Sequence, residues 1–152
     1  MMRSILLLAP LVLASCQTTG ASPSLDQAVE SVAGTLLVVP LLMERCEAAD
    51  PGNRQAYAEE KLRYEARNKW VRDATYRVLA RKMGSTQEGV EAFVRGVGQT
   101  RADAVFVGKS KGDIERACLR SLSNCRLGEA SCGPIETKLP AEVKVVVNEA
   151  AR

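Results

Sequence analysis

The chain has 152 residues, of which 21 are Lys or Arg, 18 are Asp or Glu and none is His. That length suits a single domain with a modest core. The near-neutral balance argues against a dedicated nucleic-acid binder, and the absence of imidazole removes the usual general base and the commonest metal ligand.

Residues 1–16 read as a secretory leader. Met1, Met2 and Arg3 make a short positive start, and Ile5 to Leu13 is a charge-free apolar run interrupted by Pro10. At nine residues it is too short to span a bilayer as a helix, which needs about 20. Leu13-Ala14-Ser15-Cys16 resembles the lipobox of bacterial prolipoproteins, a Leu or Val followed by two small residues and Cys. The resemblance covers only these first 16 residues, with leader, apolar run and box in order. It implies cleavage before Cys16, a diacylglyceryl group on its thiol and acylation of the new N-terminus. Each buried acyl CH₂ contributes about 0.8 kcal/mol, so two or three chains anchor stably where one is marginal. Gln17 follows the cysteine, where Asp would resemble an inner-membrane retention signal of Gram-negative lipoproteins. The resemblance therefore implies the periplasmic face of the outer membrane.

Residues 17–24, QTTGASPS, are too poor in apolar side chains to fold and read as a tether. The expected organisation is a leader over 1–15, a lipidated Cys16 and tether over 16–24, and one domain over 25–152. Removing Arg3 with the leader leaves 20 basic against 18 acidic residues among 137.

Ser24 with Gln27 fits a capping box ahead of Leu25, Val29, Val32, Leu36 and Leu37 at helical spacing. The run LLVVPLLM, 36–43, has no polar residue. It could dock on a membrane or partner, but few other large apolar runs exist, so burial in the core is the better use. Pro40 predicts that this helix stops or kinks near Val39. DPGN, 50–53, is a turn with Pro to preset φ and Gly and Asn to tolerate positive φ.

A long helix is predicted from Arg54 to Met83, closed by Gly84 as a C-cap. It holds the three tyrosines, the single tryptophan, and nine basic residues against four acidic ones. Glu59–Arg63, Glu65–Lys69 and Asp73–Arg77 are favourable i,i+4 pairs. A solvated helix with one buried stripe accounts for much of this pattern. Basic residues interleaved with aromatics also suit a partner surface, for which Tyr64, Arg67, Trp70 and Arg72 are the candidates.

Ser85 with Glu88 fits a second capping box before Val90, Phe93, Val94 and Val97. Residues 102–107, ADAVFV, suit a helix or a short strand. Gly108 to Gly112 then matches G-x-S-x-G, the pattern of a nucleophile elbow. With no histidine, only a Ser110–Lys dyad could serve, which makes a small serine hydrolase the alternative reading. The P-loop and dinucleotide patterns both fail, because position 103 is Asp and position 101 is Arg. Asp113 can cap a helix carrying Ile114, Ala117, Cys118 and Leu122. In the tail, Pro140 suits a helix N1 position while the valines favour a strand; no strand partner is evident, so helix is the reading.

Cys46, Cys118, Cys125 and Cys132 form an even set, which in an exported chain reads as two disulfides. Cys118 and Cys125 would lie about 10 Å apart in one helix, beyond disulfide reach. The preferred pairing is Cys46–Cys118 with Cys125–Cys132. The C-x₆-C-x₆-C spacing is not that of a zinc site, and neither metal nor cofactor is implied. The expected fold is all-α, four or five helices cross-linked by two disulfides. The expected role is non-enzymatic: a membrane-anchored module that binds an envelope protein, an enzyme to be inhibited or cell-wall material.

Overall fold

The computed structural model describes residues 22–128 and 132–152. The leader and Cys16 lie outside the described residues. Helix α1, Leu25–Ala49, opens with the capping box: Ser24 Oγ accepts from Gln27 N at 3.3 Å, and Gln27 Oε1 accepts from Ser24 N at 3.1 Å. Of the stop or kink that the sequence predicts near Val39, the stop does not occur. Pro40 sits inside an unbroken helix, because Leu36, Val39, Pro40, Leu41 and Met43 are all buried around it. Tertiary packing outweighs one missing backbone hydrogen bond. α1 is long and apolar enough to cross a membrane by length and composition, yet half of its most apolar window is buried inside the bundle. It is the central helix against which the others pack.

The DPGN turn forms a 3₁₀ turn, Pro51–Asn53, and Asp50 Oδ2 accepts from Asn53 Nδ2 and from the buried Tyr57 hydroxyl, both at 2.9 Å. The predicted long helix is two helices, α2 (Arg54–Arg67) and α3 (Lys69–Met83), separated by a bend at Asn68. Asn68 leaves helical geometry at φ −102°, ψ 9°. The buried side chain joins two segments: Nδ2 donates to the Tyr64 carbonyl at 3.0 Å, and Oδ1 accepts from Ile135 N at 2.8 Å. Gly84 caps α3 in the left-handed conformation, φ 58°, as predicted.

α4 (Gln87–Ala104) starts one residue later than Ser85 suggested, with Thr86 Oγ1 accepting from Gly89 N at 3.2 Å. Its buried residues Val90, Val94, Gly98 and Ala102 recur every four positions and pack on α1. The cap of α5 (Lys111–Arg126) is Ser110 rather than Asp113, three residues upstream. A one-turn helix α6 (Ile135–Lys138) leads into α7 (Pro140–Ala150), which begins on Pro140 and lies against α1 and α3.

The protein is all-α among the described residues, as expected, with seven α-helices rather than four or five. The bend at Asn68 and the short α6 account for the difference. The cysteines pair as geometry favoured, with Cα–Cα separations of 5.4 Å for Cys46–Cys118 and 5.0 Å for Cys125–Cys132. α5 is continuous between Cys118 and Cys125, which keeps those two from meeting.

Candidate functional site

The four residues proposed as a partner surface are not all presented to solvent, and Tyr64 is the one withdrawn from it. Tyr64 is 2% exposed, and its hydroxyl donates to the Thr35 carbonyl at 3.1 Å. Burial pushes that hydroxyl well above its ordinary pKa, so it stays a neutral donor. The correction follows from helix geometry: Tyr57 and Tyr64 are seven residues apart and share the face that meets α1. Arg67 is committed elsewhere, with Nη1 donating to the Cys132 carbonyl at 2.6 Å. Arg67 and Trp70 are the exposed members, Trp70 at 48%.

Tyr64 and Arg72 instead contribute to a cleft of about 400 Å³ between α1, the α2–α3 bend and α4. Leu36, Leu37 and Pro40 of α1 supply its apolar lining, and Asn68 and Tyr76 line it from the bend and α3. Arg72 approaches Asp73, with Nε 3.5 Å from Oδ1, and Asp73 is also paired with Lys69. These cations hold the Asp73 carboxyl below the usual carboxylate range. On the opposite wall Arg95 reaches Glu44 at 2.6 Å, and Glu44 also takes Lys61 at 3.0 Å, so one carboxylate joins α1 to both α2 and α4. Burial, and then the nearby Glu91 carboxylate, push the Tyr76 hydroxyl upward. The cleft thus presents an apolar base, the Tyr76 phenol, the Arg72 and Arg95 guanidinium groups, and the Glu65, Glu88 and Glu91 carboxylates.

The sequence offered no reason to place Tyr76, Glu91 and Arg95 there. A signal exists in retrospect: Glu88, Glu91 and Arg95 recur at three- and four-residue intervals beside the Val90–Val94 stripe. Of the predicted pairs in this region, Glu59–Arg63 forms at 3.4 Å, while Asp73 takes Lys69 in place of Arg77.

Ser110 sits differently from an elbow serine. Residues 105–108 form a turn after α4, so the strand that precedes a nucleophile elbow is not there. The Ser110 hydroxyl donates to Asp113 Oδ2 at 2.6 Å and accepts from Asp113 N at 3.2 Å. Those contacts and the Arg116 guanidinium hold the Asp113 carboxyl below its ordinary range. Among the described residues no group of three or more His, Cys, Asp or Glu is placed to hold a metal ion. No protein-family model, curated protein or solved structure matches this chain.

Proposed function

We propose that this chain is a lipid-anchored protein of the bacterial cell envelope, a binding or structural module rather than an enzyme. The observation that carries the reading is the cysteine arithmetic. Four of the five cysteines pair with one another inside the domain, and the one left over is Cys16. Two disulfides suit an oxidising compartment outside the cytoplasm. A leftover thiol in an exported chain calls for its own use. The Leu-Ala-Ser-Cys box supplies one, acylation. Gln17 at the next position favours the periplasmic face of the outer membrane. The cleft with Arg72, Tyr76 and Arg95 is the surface we assign to an envelope protein partner, and an inhibitor or immunity role would use the same surface.

The test is the sulfur itself. Mass spectrometry of the N-terminal peptide from purified membranes should find it starting at Cys16 with diacylglyceryl and acyl additions. Cys16→Ser should leave the chain unprocessed or release the domain from the membrane fraction. A cleaved Cys16→Ser form that stays membrane-bound, or a native chain with an unmodified start, would overturn the anchor.

A further inference from the structure

We propose that one end of this bundle rests on the phospholipid bilayer, with Phe93 and Val97 of α4 placed among the lipid chains. The inference rests on the lipid anchor proposed for Cys16. The start of α1 and the ends of α3 and α7 meet at this end. Lys82 is ion-paired with Asp26, and Arg81 Nη2 donates to the Glu149 carbonyl at 2.6 Å. Between α1, α3 and α4 an apolar groove of about 320 Å³ opens, walled by Val29, Ala33, Leu79 and Val94. Phe93 and Val97, one turn apart, form its outer edge and are 53% and 38% exposed. Met83, next to Lys82, is exposed as well. Single apolar side chains on a surface are ordinary, but here they are continuous with an apolar groove, which marks a contact.

Chain geometry selects the occupant. Nine residues, from Cys16 to Ser24, lie between the proposed lipid and α1, and fully extended they span at most about 30 Å. The groove includes Asp26 and Val29 from the first turns of α1, so it opens on the part of the domain joined most directly to the anchor. Cys46 lies 20 residues further along the same helix, about 30 Å from Asp26. An anchored domain held this close meets the membrane at high local concentration. An aromatic and an aliphatic side chain at the edge of a groove whose charged lining is Lys82, Asp26 and Glu30 suit the boundary between headgroups and acyl chains.

The single tryptophan provides an internal control. Trp70 is 12 residues before Lys82 on α3, about 18 Å along the helix. The lipidated full chain is reconstituted into phosphatidylethanolamine–phosphatidylglycerol vesicles containing lipids brominated on their acyl chains. Trp70 in the unsubstituted protein should stay unquenched. In Trp70→Phe/Phe93→Trp the new indole should shift to the blue and be quenched about twofold by the bromines. Trp70→Phe/Val97→Trp gives a second reporter, with circular dichroism to check folding of each. Protein that sediments with vesicles yet shows no quenching at either position would overturn the docking face and leave the anchor standing. A blue-shifted but unquenched indole would assign the groove to the protein's own acyl chain or to a second copy, and would equally overturn it. Protein that fails to sediment with vesicles would strike the anchor, and this inference with it.

Discussion

Asn68 concentrates the fold's long-range order in one amide. It is 1% exposed, donates to the Tyr64 carbonyl within its own helical run, and accepts the Ile135 amide from 67 residues away. Ile135 is itself fully buried, so removing the acceptor leaves an N–H without water or protein to bond. Asn68→Ala should lower the unfolding free energy by about 1–3 kcal/mol, the usual cost of an orphaned buried donor. Urea unfolding under oxidising conditions checks it, with a lower midpoint and an unchanged slope expected. An unchanged midpoint would mean that Ile135 N finds another acceptor. Nothing local in "EARNKWV" announces this role. Asn is a mediocre helix former, so sequence reading tolerates it mid-helix, and the partner that fixes the bend lies on a distant segment.

Between helices, α4 meets α1 closely at Gly98. A Cβ built there would come within 2.8 Å of both Leu37 Cβ and Leu41 Cδ1, while one at Gly96 meets nothing within 4 Å. The two glycines share one helix and differ only in what they face. Gly96→Ala should therefore stabilise the protein by about 0.5–1 kcal/mol through helix propensity. Gly98→Ala gains the same propensity but must push Leu37 Cβ, a stem atom with little freedom, and should destabilise by about 1–3 kcal/mol. Opposite shifts of the urea midpoint are the expected result; equal shifts would show that α4 can slide without cost. Nothing local in the sequence distinguishes the two glycines. The helices themselves were legible, since apolar spacing, the Ser24–Gln27 box and Gly84 are local signals that tertiary packing did not override. At Pro40 the predicted stop fails for the converse reason: its strong local signal yields to burial of the turns on either side. The cleft was illegible, because its walls come from four helices whose juxtaposition no local pattern encodes.

At the scale of the whole molecule, the two disulfides do unequal work, and α5 shows why. Its buried residues are Cys118, Leu122 and Cys125, and it packs mainly on α1 and α2. Besides the cysteines, Leu122 is its one buried apolar side chain, worth about 1.5–3 kcal/mol, with Ile114 partly buried against the core. With so few apolar anchors, the helix relies strongly on its cysteines to stay on the bundle. Cys46–Cys118 closes a separation of 72 residues, whereas Cys125–Cys132 closes one of 7. By loop entropy the first is worth about 4 kcal/mol and the second about 2.5. Cys46→Ala/Cys118→Ala should accordingly cost more stability than Cys125→Ala/Cys132→Ala. The loss should also be local in its first effect. Amide exchange over 111–126 should accelerate while α1, α3, α4 and α7, which pack on one another, remain protected. Exchange rising uniformly in all helices would show instead that α5 unfolds only with the rest. With the first bridge absent the cleft walls from α1, α3 and α4 remain together, so a reduced chain should keep that surface and lose α5. The domain then needs oxidation to complete its fold, which ties the four paired cysteines to the compartment that the leader is proposed to reach.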